Sequence, residues 1–469
     1  MSASSASPAR PITIGWASAS ITPDKPVQLH GQFHERVSEY VNDTCTATAM
    51  ALQSEPAAGA GEQAIMISLD LVNISREIVD AVRARVGKAV PDFDARKLLI
   101  NTTHTHTAPT MMEGLYPEPA QGVMRPSEYA AFLIDILTKL AADAWAARRP
   151  AGISTALGHA AVGFNRRVTY RDGSAQMYGD SGRDDFAGIE AGMDPGVELL
   201  YTFDEHDTLT GVVVNIACPS QVVEGQSFIS ADFWHPAREG IRAALGADVF
   251  VYPMCSAAGD QSPRDLVRRN RGEPSMRQIE GMNEMGRRIA LAITDAFAHS
   301  RGPTSREVVF QHHTEDLSLP MRKATAAEAE HARRWLEELT TDGEPDPASR
   351  EGRLVTRQRK AIERYETQGD DPRFTIDMHV LRLGDIAIAT NPFELYLEFG
   401  QRIKGRSKAH QTFVVQLTND RALYLPTERA VAGGHYGAMI YDNTVGPAGG
   451  DALVERQVEM INGMFGEAE

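Results

Sequence analysis

The sequence predicts an α/β fold, a layered domain built around a mixed β-sheet with flanking helices. Three observations lead there. Apolar strand-like runs recur along the chain, helical periodicity separates several of them, and 42% of the 469 residues are hydrophobic, enough for a large core. Strands that alternate with helices bury sheet faces under helices, which produces layers.

The strand-like runs lie at 64–71, 98–102, 198–203, 211–217, 249–253, 307–312, 377–383, 386–390 and 412–417. Over 127–148, Tyr129, Phe132, Leu133, Ile136, Leu137 and Leu140 keep the i, i+3, i+4 spacing of one buried helix face. Further helices are expected at 275–299, at 75–86 with Ser75 placed to cap its start, and at 452–465. The segment 324–366 is densely charged and is broken by Gly343-Glu344-Pro345-Asp346-Pro347. Two amphipathic helices joined by a Pro-bearing turn fit it, giving a helical hairpin insertion over 324–368. Such a hairpin serves as a solvated excursion, a lid or a dimer contact. Residues 1–10 read as a disordered tail and 11–469 as one catalytic domain.

Charge and cysteine usage narrow the function. Lys and Arg number 47 against 63 Asp and Glu, a formal charge of −16 that argues against nucleic-acid or anionic-membrane partners. Three cysteines, Cys45, Cys218 and Cys255, are too few for a disulfide framework and suit a reducing compartment. The N-terminus carries no apolar leader, and no run approaches the roughly 20 residues of a membrane span. The expectation is a cytoplasmic protein acting on a small-molecule substrate, with no membrane insertion and with homo-oligomerisation left open.

The candidate site begins at Thr103-His104-Thr105-His106, which closes the apolar run 98–102. Alternate residues of an extended segment share a side, so both imidazoles can converge on one divalent metal. A polar loop is the competing reading. Cys218, Glu394 and Tyr424 each follow a strongly apolar run, and strand ends are where α/β scaffolds place functional groups. A lone cysteine there is either a ligand or a small buried hydrophobe. In Gly259-Asp260-Gln261-Ser262-Pro263, Ser262 is placed to bond a substrate or simply to shape a turn. In Gly163-Phe164-Asn165-Arg166-Arg167, an arginine that reaches a site would bind an oxygen with fixed geometry; otherwise it only solubilises.

Taken in order, Thr-His-Thr-His-Thr-Ala-Pro (103–109), Asn165-Arg166, Ile229-Ser230-Ala231-Asp232, Gly259-Asp260-Gln261-Ser262-Pro263, Pro392-Phe393-Glu394, and Tyr424 followed by Thr427-Glu428 resemble the neutral ceramidase family. Its members are zinc amidases that cleave the N-acyl bond of ceramide. The resemblance runs from about Gly15 onward, with the histidine and Gly-Asp-x-Ser-Pro motifs the most specific parts. It implies a Zn2+ cofactor with His104, Glu394 and Tyr424 as ligands, and His106 facing the substrate. It places Arg166, Ser262 and Tyr436 in the catalytic pocket, with Asn165, Asp260 and His235 as substrate-binding candidates. The departure is Cys218, which stands where the family has another zinc histidine. A thiolate can keep the metal there, and His235 is the alternative ligand.

Two further departures are expected to bear on substrate: the family's signal sequence and C-terminal immunoglobulin-like domain are expected to be missing. The expectation is therefore a zinc-dependent hydrolase that cleaves an amide of a small soluble N-acyl compound by metal-activated water. The alternatives are a glycosidic or ester bond on the same scaffold, or a non-catalytic small-molecule-binding relative.

Overall fold

The computed structural model describes residues 8–56, 61–273, 276–299, 304–347 and 349–466. Most of the expected N-terminal tail, and Ser275, lie outside them. The longer strands are β1 (Arg10–Ser20), β2 (Thr46–Ser54), β3 (Gln63–Leu69), β4 (Leu98–Thr102), β5 (Arg149–His159), β6 (Gly196–Phe203), β7 (Leu209–Ile216), β8 (Phe250–Cys255), β9 (Phe310–Pro320), β10 (Arg373–Leu383), β11 (Ile386–Thr390) and β12 (Gln411–Val415). The longer helices are α1 (Arg76–Ala89), α2 (Pro126–Ala146), α3 (Trp234–Leu245), α4 (Gln278–His299), α5 (Ala326–Leu339), α6 (Arg350–Thr367), α7 (Leu397–Arg406) and α8 (Pro447–Phe465).

Two mixed sheets form the centre. A nine-stranded sheet runs β8-β7-β6-β5-β1-β2-β3-β4, with Glu307–Val308 added beside β1; a four-stranded sheet runs β9-β10-β11-β12. Trp16, Met50, Met66, Leu99, Val213 and Tyr252 from the first meet Leu381, Ile388 and Phe413 from the second in one buried layer. Full burial of each such side chain contributes about 1.5–3 kcal/mol. Helices α1 and α2 cover one part of the large sheet and α3 and α4 another, while α7 and α8 cover the small one. The result is the expected layered α/β architecture with its core between and outside two sheets. Among the described residues no helix is long and apolar enough to cross a membrane.

Strands β1, β2 and β5 are absent from the sequence expectation. Their sequences, RPITIGWASAS, TATAMALQS and RPAGISTALGH, are rich in Ala, Ser, Thr and Gly. Small residues give little hydrophobic contrast, yet they suit central strands pressed between layers. Ser75 does precede α1 in an extended conformation, but its hydroxyl makes no capping bond to the helix backbone. The charged segment forms the expected hairpin, α5 and α6, with Thr325 and Ser349 capping the two starts.

Three parallel strand pairs matter for the site: β3 with β4, β7 with β8, and β11 with β12. Their carboxyl ends are cross-tied. Ser256 N–H donates to Ile216 O at 2.8 Å, Gln416 N–H to Cys255 O at 3.0 Å, and Asn419 N–H to Ile100 O at 2.9 Å. A buried polar network reinforces this from behind. Asp377 on β10 pairs with Arg83 of α1 at 2.7 Å and accepts from Asn419 Nδ2 at 3.0 Å, while Asn419 Oδ1 accepts from Ile100 N–H at 2.8 Å.

Burial alone would raise the Asp377 pKa, but His379 and Arg83 outweigh it and hold the carboxyl far below its usual range. A depressed pKa adds stability that is present above about pH 4 and lost as pH falls toward the folded value. Removing the partner of a buried charge is costly, so Asp377→Ala should lower unfolding free energy by about 3–5 kcal/mol. Denaturant unfolding at pH 7 checks it, and the deficit should shrink as the pH drops below about 4.

Candidate active site

Strand β4 ends at Thr102, and the next residues remain tied to the end of β3. Thr103 N–H donates to Leu69 O at 2.9 Å and Thr105 N–H to Leu71 O at 3.1 Å. Between them His104 adopts left-handed backbone, φ 63°, a conformation that non-glycine residues hold only when the surroundings fix it. Simple strand alternation is therefore not what gathers the histidines. The kink at His104 does so, leaving the two imidazole centroids 4.8 Å apart and nearly perpendicular.

His104 Nδ1 lies 2.9 Å from Val72 O. A carbonyl only accepts, so Nδ1 carries a hydrogen and is used up by this bond, which leaves Nε2 as the ring nitrogen turned to the site. His104 Nε2 lies 3.5 Å from Glu394 Oε2. Glu394 and Leu395 pair in parallel with Tyr424 and Leu425, setting Glu394 opposite Tyr424. Burial would raise the Glu394 pKa, but His104, Arg166 and a hydrogen bond from Tyr424 outweigh it and hold it below the usual range. The carboxylate is thus charged at neutral pH.

Arg166 spans the floor of the group. Its Nη2 donates to Gly259 O at 2.8 Å and Tyr424 OH at 3.4 Å, and its Nη1 to Tyr178 OH at 3.0 Å and Gln221 Oε1 at 3.3 Å. The same guanidinium stands 3.9 Å from Glu394 Oε2. Tyr424 OH lies 3.3 Å from Tyr436 OH, so the second tyrosine continues the polar row outward. Neighbouring Arg167 is structural, bonded to Glu190 at 2.8 Å and fully buried.

His106 points into the same space with both ring nitrogens buried and without a hydrogen-bond partner. Glu224 Oε2 is 3.5 Å from its Nδ1. Burial, followed by the charges of His104, Arg36, His30 and Arg166, pushes the His106 pKa far down, so the ring is neutral at physiological pH. Gly31, at φ 104°, lies on this ring: an added Cβ would stand 2.6 Å from it.

The remaining sequence candidates divide. Asp260, Asn165 and Ser262 are buried and engaged inside the protein. Asp260 accepts from Asn165 Nδ2 at 2.7 Å and from Leu397 N–H at 2.9 Å, and Ser262 Oγ accepts from Arg264 N–H at 3.0 Å. Asn165 and Asp260 thus position Arg166 and Gly259. His235 sits in the first turn of α3, its backbone N–H on Asp232 O at 3.1 Å. Cys218 is not gathered with His104 and Glu394. Its thiol is 3.2 Å from Val162 O within an apolar cluster, and burial drives its pKa well up. Among the described residues no three His, Cys, Asp or Glu side chains assemble for a metal; the residue paired with Glu394 is a tyrosine, Tyr424. His30, Tyr178, Gln221 and Glu224 were missed, because each lies in a polar loop whose pattern resembles any surface turn.

The chain superposes on a solved structure described as ceramidase complexed with C2, with TM-score 0.70 and 16% identity over 96% of this chain and 75% of that one. It matches neutral ceramidase from Pseudomonas aeruginosa with TM-score 0.69 and 17% identity, over 96% and 74% of the two chains. The fold is that of neutral ceramidase. No family model and no curated protein sequence matches the chain. The neutral ceramidase fold here keeps its strand-end loops within bonding distance of one another, and Gly259 shows how tightly: an added Cβ would lie 2.3 Å from Glu394 O. Gly259→Ala must displace Glu394, and a misplacement on the scale of 1 Å costs about 100-fold in rate. Turnover measurements beside a melting curve check this; unchanged turnover would show that the Glu394 position is unimportant.

Proposed function

We propose that this protein is a metal-dependent hydrolase that cleaves an N-acyl amide bond of a small molecule, with His104, Glu394 and Tyr424 as ligands of a zinc ion. One observation carries the reading. His104 Nε2, the nitrogen left open by the Val72 bond, and Glu394 Oε2 face each other at 3.5 Å in a buried site. An imidazole nitrogen and a carboxylate oxygen are both zinc-ligand types, and a cation between them would be bound by both. Two ligands about 2.1 Å from a tetrahedral zinc stand about 3.4 Å apart, so the spacing supports zinc. The Val72 carbonyl on His104 Nδ1 is the outer partner that metal-binding imidazoles use to fix tautomer and ring angle. Similarity to ceramidase structures supports the hydrolase class.

A zinc ion held there would act as a Lewis acid and lower the pKa of water from about 15.7 toward about 7. The protein's own groups supply the rest. His106, neutral and with Glu224 behind its Nδ1, accepts a proton from the attacking water and passes it to the departing amine. Arg166 is clamped by Gly259, Tyr178 and Gln221; it keeps Glu394 ionised and holds Tyr424 in place. Tyr436 OH, next outward, donates to the oxygen of the scissile carbonyl as negative charge develops on it. Burial of the group excludes bulk water and strengthens each of these interactions.

The ligand set contains no cysteine. Cys218, expected from the resemblance as a zinc ligand, donates its thiol to Val162 O at 3.2 Å, so Cys218→Ser should retain the bound metal. A short-chain N-acyl amine incubated with the zinc-loaded protein should release free amine, and a chelator should abolish the release. Amine release that survives complete removal of metal, or loss of metal in Cys218→Ser, would refute the assignment.

A further inference from the structure

A cavity of about 580 Å3 opens beside the site, between the helical hairpin and the loop that carries Tyr436. The hairpin is docked rather than loose. Arg364 of α6 donates to Ile440 O at 3.1 Å and Thr444 O at 2.8 Å, and Ala332 and Ala361 pack with Ile440. The volume falls in the range of small-molecule sites.

The lining has an unusual composition for this chain. Arg350, Arg353 and Arg357 of α6 project into it together with His331 and His435, and no Asp or Glu lines it. The protein as a whole carries a formal charge of −16, so this local excess of cations runs against the average. Asp442, buried behind Arg357, stands 4.0 Å from its guanidinium. Aromatic rings, with Met177, Leu354 and Met439, supply the rest of the wall. The Arg357 guanidinium lies 4.8 Å from the Phe33 ring, 5.7 Å from Tyr436 and 5.6 Å from Tyr441, with Trp335 also in the lining. Tyr436 is shared: one side faces the cavity and its hydroxyl meets Tyr424 at 3.3 Å.

We propose that this cavity is the specificity pocket for the substrate, and that it selects an arm ending in a carboxylate or similar anion behind a short apolar or aromatic spacer. The proposal rests on the hydrolase reading for the arm's attachment to the scissile bond, though not for the anion binding itself. Arginines present fixed forks that suit carboxylates, and the rings accept the spacer. Bonds to charged partners are strong enough to give about tenfold discrimination or more. A neutral long-chain acyl group gains nothing from three arginines.

The test uses the zinc-loaded full chain and two matched amides of one chromogenic amine, one carrying a hexanoyl group and the other its carboxylate-ended counterpart, adipoyl. The adipoyl amide should have kcat/KM about tenfold higher or more, and Arg350→Gln with Arg353→Gln should bring the ratio near one. A second measurement is independent of hydrolysis. Trp335 lines the cavity, so 4-phenylbutyrate should change tryptophan fluorescence saturably in the wild type but not in Trp335→Phe, while 4-phenylbutanamide at equal ionic strength should not. If neither amide is cleaved yet phenylbutyrate binds selectively, the hydrolase reading fails and the anion pocket stands. If the hexanoyl amide is cleaved as well as the adipoyl one and phenylbutyrate binds no better than its amide, the pocket proposal is overturned. Because Arg350 is exposed, Arg350→Gln alone serves if the double variant fails to fold, and an unchanged preference there with no change in phenylbutyrate affinity also counts against the proposal.

Discussion

The buried carboxylate of Asp260 holds the site together. It accepts from Asn165 on one side and from the Leu397 backbone on the other, at 2.7 and 2.9 Å. Those two bonds join the loop that delivers Arg166 to the segment that delivers Glu394. Gln416 acts in parallel, its Oε1 accepting from Ala258 and Leu395 N–H groups, both at 3.0 Å. Burial raises the Asp260 pKa, and the Leu397 N–H and Gln261 side chain pull it back. A buried acceptor without its donors would cost more than such bonds contribute on average, so the loops have one low-energy arrangement. Reactive groups can then be kept in otherwise unfavourable states: an unpartnered neutral imidazole at His106 and a left-handed backbone at His104.

Much of this was legible in the sequence. Long apolar runs such as 386–390 and the periodic face around Leu133 and Leu137 gave strands and helices close to their observed bounds. Strand-end positions marked His104, His106, Glu394 and Tyr424, a paired-arginine loop marked Arg166, and the family resemblance added Tyr436; the fold brings these six together. What failed has physical causes. The central strand β1 mixes Ile and Trp with small residues, and its burial comes from layers on both faces rather than from its own hydrophobicity. Asn165, Asp260 and Ser262 carried motif signals but are engaged inside the protein, because a motif marks importance without separating reaction from scaffolding. Glu224 and His30 carried none; only the tertiary fold sets them beside His106.

Cys218 illustrates the limit of positional carry-over. Its place after β7 is the right distance from the Ile-Ser-Ala-Asp segment, yet the side chain turns toward Val162 and the apolar cluster beneath α3 and α4. Spacing along a chain fixes where a backbone passes and leaves the side-chain direction to packing. At 16–17% identity to the ceramidase structures, side-chain exchanges of this kind are expected while the backbone persists. The charged hairpin carries the same lesson in reverse. Its composition leaves a solvated excursion, a lid and a dimer contact open, and the fold sets its arginines along a cavity that shares Tyr436 with the site.

The central claim is that His104 and Glu394 face each other because a metal belongs between them. Anomalous diffraction recorded on both sides of the zinc edge from crystals of zinc-loaded protein tests it most directly. The account predicts one strong peak between His104 Nε2 and Glu394 Oε2 within reach of Tyr424 OH, at about 2.0–2.2 Å from each donor. A map with no peak there, while the protein still hydrolyses an N-acyl amide, would contradict it.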